Sequence, residues 1–254
     1  MILTLDIGNT TIGVCGVERT GPEDYRVRFS RKLPTLREQG DYREALAALL
    51  AAEGNPSVEG AALSSVVPCL DRPVSLAAEA LLGRAPVKIQ AGRGLAFAIP
   101  HPELLGLDRI ADSVWAAKRY PLPVVTVDLG TATTFNVLDG EGVFLGGLIV
   151  PGLETGLNAL TARAARLPTV TLAAPEHLIG RDTEECMRSG AVTGAAAMID
   201  GITTRIEAEL GQASLVLTGG GAELVSPLCF HPHDCDPYLL PKGLALLYDR
   251  SQLR

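Results

Sequence analysis

The stretch Leu5-Asp6-Ile7-Gly8-Asn9-Thr10-Thr11 recurs in altered form as Val127-Asp128-Leu129-Gly130-Thr131-Ala132-Thr133-Thr134. In each copy an apolar run is followed by Asp, an apolar residue, Gly and a group of small polar side chains. The two aspartates are 122 positions apart (128 minus 6), about half of the 254 residues. The repetition predicts two related halves, each with a buried strand that ends in a carboxylate and a tight turn.

The composition is that of a globular protein with a sizeable core. Apolar residues make up 47%, charged residues 20%, and Gly is abundant at 27 residues, which fits buried sheets with many tight turns. The net charge is −7 and no run of Lys and Arg is present, which argues against nucleic acid as a partner. A small anionic ligand remains compatible with this charge, because backbone N–H groups and a cation can bind it locally.

The chain is expected to be cytoplasmic, with no membrane partner. Met1 leads directly into a strand pattern without a signal peptide, and the longest apolar runs are far shorter than a membrane span. The five cysteines are odd in number and scattered, so a disulfide framework is not expected. The segment Cys229-Phe230-His231-Pro232-His233-Asp234-Cys235 alternates four candidate zinc ligands. Its spacing matches no common zinc module, so a polar surface segment is favoured over a metal site.

Each half is predicted to run β-β-β-α-β-α, which indicates an α/β fold with mixed sheets and packed helices. The boundary is placed at Pro121-Leu122-Pro123, giving domains 1–120 and 121–254. Predicted strands are 2–7, 12–17, 25–33, 58–67, 87–89, 124–128, 133–138, 143–150 and 215–217. Predicted helices are 41–52, 71–82 with Asp71 as N-cap, 108–119, a segment starting at Pro151, 183–210 and 244–250, and residues 91–105 are irregular.

The two motifs have the chemistry of phosphate and cation binding. Gly8 would let the backbone approach phosphate oxygens, Asn9 and Thr10 would donate hydrogen bonds, and Asp6 would hold a hydrated cation. The alternative is ordinary turn chemistry for Asp, Gly and Asn. Burying a carboxylate such as Asp128 at the end of an apolar strand costs free energy unless the carboxylate is paired or binds a metal ion. No Walker lysine follows either motif, so cations and N–H groups would neutralise a nucleotide's phosphates.

Two further segments are candidates. In Gly106-Leu107-Asp108-Arg109, an Asp and an Arg at a helix start can orient a hydroxyl and bind a carboxylate. The alternative is that Asp108 is only a helix N-cap and Arg109 a surface charge. Three consecutive glycines in Thr218-Gly219-Gly220-Gly221-Ala222 would permit close approach of a base or ribose, or form a flexible turn.

Taken together, these motifs resemble the type III pantothenate kinase family, in order and spacing over essentially the whole chain. The matching segments are Asp6 to Thr10, Leu105 to Arg109, Asp128 to Thr134, Gly146 to Leu153, Arg166 to Pro168, Ile179 to Thr183, Ser189-Gly190, Thr218 to Gly220, Asp236 to Leu239 and Lys242 to Leu244. The resemblance implies two ribonuclease-H-like domains of the actin-like, acetate and sugar kinase superfamily, with an active-site cleft between them. It also implies transfer of the ATP γ-phosphoryl group to pantothenate, the first step of coenzyme A synthesis.

The resemblance also implies site residues and cofactors. The phosphate loop would comprise Asp6, Ile7, Gly8, Asn9, Thr10, Thr11, Ile12 and Gly13, with Mg²⁺ held through water by Asp6. Asp108 would be the catalytic base, and the pantothenate site would comprise Gly106, Leu107, Asp108 and Arg109. Asp128 would contact a monovalent cation, K⁺ or NH₄⁺, and Thr131 would contact ATP. The family forms homodimers, in which Thr183 would contact pantothenate in the neighbouring subunit.

One position departs from the family pattern. Many members carry a Tyr that contacts pantothenate seven residues before the Gly of Gly-x-Asp-Arg, where this chain has Ile99. This departure leaves open another small-molecule kinase of the same superfamily, with a changed substrate. A non-catalytic nucleotide-binding regulator of actin-like fold is a second, separate alternative.

Overall fold

The computed structural model describes residues 1–35, 42–90 and 94–253. The chain divides into two compact units. The first unit comprises residues 1–95, 100–115 and 238–254, and the second comprises residues 96–99 and 116–237. This division differs from the predicted domains 1–120 and 121–254 in placing the C-terminal residues with the first unit. No helix within the described ranges is long and apolar enough to cross a membrane.

The sheet of the first unit is mixed, as predicted. Its strands are β1 (Ile2–Ile7), β2 (Thr11–Gly21), β3 (Asp24–Pro34), β4 (Gly60–Ser65) and β5 (Val87–Lys88). Their order among the described residues is β3-β2-β1-β4-β5. The first three strands are antiparallel, while β4 runs parallel to both β1 and β5. Strand β1 is therefore central, and its apolar side chains lie in the core beneath the helices.

The helices of the first unit are α1 (Tyr42–Ala52), α2 (Pro68–Leu82), α7 (Leu239–Gln252) and most of α3 (Leu107–Arg119), whose residues after Trp115 are grouped with the second unit. Residue 41, predicted as the start of α1, lies outside the described residues. The prediction that Asp71 caps α2 is wrong, because the helix begins three residues earlier at Pro68. A proline at the first helical position has its φ already set for the helix and loses no hydrogen bond there.

The last helix, α7, is longer than the predicted 244–250 and extends from Leu239 to Gln252. Its residue Gly243 lies against α3, where an added Cβ would overlap the backbone carbonyl of Ala111. A second attachment is the Asp249 carboxylate, which accepts hydrogen bonds from Arg19 and Tyr25. These contacts explain why α7 groups with the first unit although it is last in the sequence.

The second unit repeats the sheet of the first. Its strands are β6 (Ala96–Phe97), β7 (Val124–Leu129), β8 (Ala132–Leu138), β9 (Val143–Pro151), β10 (Ser214–Thr218) and β11 (Asp234–Cys235). Their order over the described residues is β11-β10-β7-β8-β9-β6. Strands β7, β8, β9, β10 and β11 correspond to β1, β2, β3, β4 and β5. Apart from the added edge strand β6, the two sheets have the same strand order and the same strand directions. The predicted repetition of halves is thus confirmed at the level of topology.

The helices of the second unit are α4 (Leu153–Arg163), α5 (Thr183–Leu210) and the short α6 (Ala222–Val225). Helix α5 has the predicted bounds, and the Asp182 carboxylate caps it by accepting a 2.8 Å hydrogen bond from Glu185 N. The expectation that Pro151 starts the next helix is wrong. Pro151 ends β9, and Gly152 precedes α4, since its N–H still donates to the Thr131 carbonyl at 3.1 Å.

Candidate active site

The first acidic strand end is Asp6, the fifth of six residues in β1. It pairs in register with Gly13 on β2 and with Ser64 on β4. Burial raises the pKa of the Asp6 carboxyl to about 6, the neighbouring Ser64 hydroxyl lowers it in part, and the Asp108 carboxylate raises it further. Asp6 and Asp108, which lie 102 positions apart in the sequence (108 minus 6), are therefore close enough to interact.

The turn after β1 is fixed by hydrogen bonds to its backbone carbonyls. Gly8 N donates to the Thr11 carbonyl at 3.0 Å, which closes the turn between β1 and β2. Thr35, which was not among the predicted site residues, donates from N to the Thr10 carbonyl at 3.0 Å and from Oγ1 to the Gly8 carbonyl at 2.9 Å. The side chains of Asn9 and Thr10 remain exposed at the tip. Anchored carbonyls and exposed donors are what a phosphate-binding loop needs.

The raised pKa of Asp6 predicts how stability depends on pH. The unfolded carboxyl titrates near 3.8 and the folded one near 6, so the folded state binds the proton more tightly and loses stability as pH rises through this window. We expect Asp6→Asn to raise the free energy of unfolding at pH 8 by about 1–2 kcal/mol, discounted for partial exposure, and to have no effect below about pH 4. Urea unfolding of the ligand-free protein at both pH values measures this.

The matched control is Glu79→Gln, which removes an exposed acid from α2. We expect it to leave stability unchanged at both pH values. A destabilising Asp6→Asn at pH 8 would show that the ionised Asp6 carboxylate is favourably paired in the folded protein.

The predicted acceptor segment lies at the start of α3. The structure corrects the N-cap alternative for Asp108, because α3 begins at Leu107 and Asp108 is its second residue. Its Oδ1 atom accepts a 2.8 Å hydrogen bond from Arg109 N. Gly106 leaves room for this carboxylate, since an added Cβ there would overlap Oδ1. Arg109 is half-buried, and burial lowers the pKa of its guanidinium while the Asp108 charge raises it in part.

Gly106 and Leu107 border a cavity of about 660 Å³ in the first unit. The residues that line it are Ser65, Val66, Lys88, Ile89, Gln90, Glu103, Leu104, Leu105, Gly106 and Leu107. A cavity of this size, with both apolar and polar side chains in its lining, is large enough for a small molecule. Ser65 follows Ser64 directly, so the end of β4 connects the cavity to the neighbourhood of Asp6.

The second acidic strand end is Asp128, again the fifth of six residues in its strand. It pairs in register with Thr134 on β8 and Thr218 on β10. Gly219, with φ +85°, packs so closely that an added Cβ would overlap Asp128 Oδ1 and lie 2.7 Å from Leu129 N. Position 219 therefore requires glycine because of its close contact with Asp128 and Leu129 of β7.

Thr131 lies on the turn after this strand, with its side chain exposed. Its carbonyl accepts hydrogen bonds from Gly152 N at 3.1 Å and from Thr155 Oγ1 at 2.7 Å. The start of α4 thus fixes the second turn in the way that Thr35 fixes the first.

Thr183 and Ile99 lie in the second unit. Thr183 is the first residue of α5 and lines a groove of about 950 Å³ between α4 and α5. The floor of this groove is apolar or small, as at Leu157, Gly190 and Gly194. Ile99 is half-buried just after β6, and an added Cβ on Gly146 would lie 3.8 Å from its side chain.

Three of the four candidate zinc ligands between residues 229 and 235 contact other side chains, and the fourth, Cys229 Sγ, contacts the Val225 carbonyl at 3.7 Å. His231 Nε2 pairs with Glu207 Oε2 at 2.9 Å, and His233 Nε2 with Ser226 Oγ at 2.7 Å. Cys235 Sγ also contacts Ser226 Oγ, at 3.2 Å. Within the described residues, no group of three or more His, Cys, Asp or Glu side chains is arranged to hold a metal ion.

Two mixed sheets of matching strand order, each with an aspartate near the end of its β1 or β7 strand, define the fold of this chain. Two solved structures share this fold. The activator of the 2-hydroxyisocaproyl-CoA dehydratase from Clostridium difficile superposes with a TM-score of 0.57 at 13% identity, covering 99% of this chain and 97% of that one. A "putative 2-dehydro-3-deoxygalactonokinase protein" from Sinorhizobium meliloti gives 0.55 at 14% identity, covering 98% and 96%. At such identities the likeness shows the fold alone.

The chain belongs to the type III pantothenate kinase family. The family model of that description matches residues 2–205. The type III pantothenate kinase of Thermomicrobium roseum is 38% identical over 257 residues, covering 98% of this chain and 97% of that protein. The type III pantothenate kinase of Thermus thermophilus is 37% identical over 252 residues, covering 98% of each. The family expected from the sequence motifs is thereby confirmed.

Proposed function

We propose that this protein transfers the γ-phosphoryl group of ATP to the primary hydroxyl of pantothenate, forming 4′-phosphopantothenate in the first step of coenzyme A synthesis. Family membership supports the reaction. The observation that carries it in the structure is the approach of Asp108 to Asp6 beside the cavity lined by Gly106 and Leu107. Asp108 would then face the acceptor alcohol, and Asp6 would face the ATP phosphates. A cytoplasmic location stays a prediction from the sequence.

Asp108 is the proposed general base. Phosphoryl transfer has a loose transition state, so positioning of the alcohol matters more than early removal of its proton. One Asp108 oxygen is engaged by Arg109 N, which fixes the orientation of the carboxylate. The other oxygen is then able to accept the hydroxyl proton late in the transfer. Half-buried Arg109 would bind the carboxylate of pantothenate, an interaction that a guanidinium makes well when desolvated.

The loop from Asp6 to Gly13 is the proposed site for the ATP phosphates, with Thr131 as a further contact to ATP. Backbone N–H groups and the Asn9 and Thr10 side chains would donate to phosphate oxygens. Bound Mg²⁺ neutralises phosphate charge. The residues fit such an ion, because the Asp6 carboxylate is buried at the end of β1 beside this loop, and a nearby cation would favour its ionised form. Asp6 would hold the ion through its water shell.

Asp128 is proposed to contact a monovalent cation, K⁺ or NH₄⁺, in place of the lysine of a Walker motif. We expect Asp128→Asn to weaken activation by K⁺ by about tenfold, because the neutral amide loses one charge-assisted interaction. The measurement is the K⁺ concentration that gives half-maximal turnover. Unchanged K⁺ dependence in the folded variant would remove this role.

The function itself is tested by incubating the purified protein with Mg²⁺, K⁺, ATP and pantothenate and measuring 4′-phosphopantothenate by mass spectrometry. ATP-dependent product formation is expected. Ile99 gives a reason to include a panel of other small alcohols, because it replaces a substrate-contacting Tyr of the family. Phosphorylation of another alcohol in preference to pantothenate would indicate a different kinase. Nucleotide binding without any phosphorylated product would indicate a regulator.

The protein is also proposed to form a homodimer whose active site is completed across the interface, with Thr183 contacting the partner's pantothenate. The groove between α4 and α5 supports this, because exposed Leu160 borders its small-residue floor, and exposed Leu178 and Ile179 border a neighbouring groove on α5. We expect sedimentation at micromolar concentration to give a dimer, and Gly194→Arg to give an inactive monomer. A fully active wild-type monomer would contradict the shared site.

A further inference from the structure

Ser64 is a buried hydroxyl that no established role explains. It lies on β4 in register with Asp6, and its side chain is 0% exposed. Its Oγ atom has no hydrogen-bond partner at ordinary geometry among the described residues. A buried, unmade hydrogen bond costs about 1–3 kcal/mol, so a fully enclosed hydroxyl is expected to have a use.

The register places this hydroxyl beside the Asp6 carboxylate. Side chains at paired positions of neighbouring strands point to the same face of the sheet. On the other side of Asp6 the paired residue is Gly13, which has no side chain. Ser64 is therefore the neighbour across the sheet that offers Asp6 a donor.

The second unit repeats the arrangement. Asp128 pairs in register with Thr218 on β10, the strand that corresponds to β4. Thr218 is also buried, at 4% exposure. A hydroxyl side chain thus stands beside the acidic strand end in both units, although the strands concerned differ in sequence. Recurrence at equivalent positions is an observation independent of the burial of Ser64.

We propose that Ser64 is a positioning residue, whose hydroxyl donates to the Asp6 carboxylate and holds it in the orientation that receives a hydrated Mg²⁺ bound to nucleotide. The inference rests on the proposed function, since it assigns Asp6 to the nucleotide's metal. Ser64 itself contacts neither metal nor phosphate. Its effect should therefore be seen only when Asp6 and Mg²⁺ are both present.

Calorimetric titration with the non-hydrolysable analogue AMPPNP tests this without turnover. In Mg²⁺, Ser64→Ala should raise the dissociation constant about tenfold, which is the loss of one hydrogen bond to a charged group. Ser64→Thr, the residue that the chain itself uses at the equivalent position, should stay within about threefold of wild type, and Ser64→Cys, a weaker donor, should be intermediate. In EDTA all four proteins should bind alike.

Two controls separate this role from general packing. Ser113→Ala removes another fully buried hydroxyl without a hydrogen-bond partner among the described residues, on α3, and should bind Mg²⁺·AMPPNP as wild type does. In an Asp6→Asn background, Ser64→Ala should add less than about twofold, because the two changes remove the same interaction. Equal binding by wild type and Ser64→Ala, or an undiminished effect without Asp6, overturns the inference. Failure of the wild type to bind Mg²⁺·AMPPNP overturns the proposed function instead.

Discussion

Replacing Asp108 by Asn is expected to lower the turnover number about 10²–10⁴-fold, the usual contribution of a general base. The amide has the shape of the carboxylate and keeps an oxygen for the 2.8 Å hydrogen bond from Arg109 N, so the start of α3 should fold unchanged. It cannot accept the proton of the alcohol. We therefore expect kcat to fall while the KM for ATP changes little, measured by steady-state kinetics beside thermal unfolding.

The structure makes this test sharper than the sequence did. A helix N-cap would lose stability on neutralisation, but Asp108 lies inside the first turn of α3 rather than at the cap. The exposed acid variant Glu79→Gln should retain wild-type turnover. Near wild-type kcat in Asp108→Asn would remove the catalytic role and leave this carboxylate with only its local contact to Arg109.

The second large effect is expected on stability, from Gly219→Ala. At φ +85° any L side chain is strained, and the new Cβ would overlap Asp128 Oδ1 and crowd Leu129 N. Positive φ costs about 1–2 kcal/mol and overpacking against backbone about 1–3 kcal/mol. We expect a loss of about 2–4 kcal/mol in the free energy of unfolding, measured by urea denaturation. Asp128 would be displaced, so K⁺ activation should also be lost.

Gly54→Ala is the matched control, because Gly54 has φ +81° but an added Cβ would meet nothing within 4 Å. It carries the strain of positive φ without the contact, and should cost about 1 kcal/mol. An equal loss in both variants would mean that the close approach of Gly219 to β7 contributes nothing to stability.

The repeated motif was enough to predict the arrangement that positions the site. Asp6 and Asp128 were expected to end buried strands, and each is the fifth residue of a six-residue strand at the centre of a sheet. The prediction succeeded because an apolar run followed by Asp and Gly has few structural solutions. The tight turns after both motifs were expected for the same reason, and each joins two antiparallel strands.

Features that depend on distant contacts were not predictable. The length of α7 follows from the packing of Gly243 on Ala111, residues 132 positions apart (243 minus 111). A role for Ser64 could be inferred only from its register with Asp6, because a sequence pattern does not define the register between strands. The start of α2 at Pro68 was missed because Asp71 is an equally good local signal for the start of a helix.

The most direct test of the account is a crystal structure with Mg²⁺·AMPPNP and pantothenate bound. The account predicts phosphates on the loop that follows β1, Asp6 facing the hydrated metal, and an Asp108 oxygen at about 3 Å from the primary hydroxyl. Nucleotide bound away from this loop, or a hydroxyl out of reach of Asp108, would contradict it.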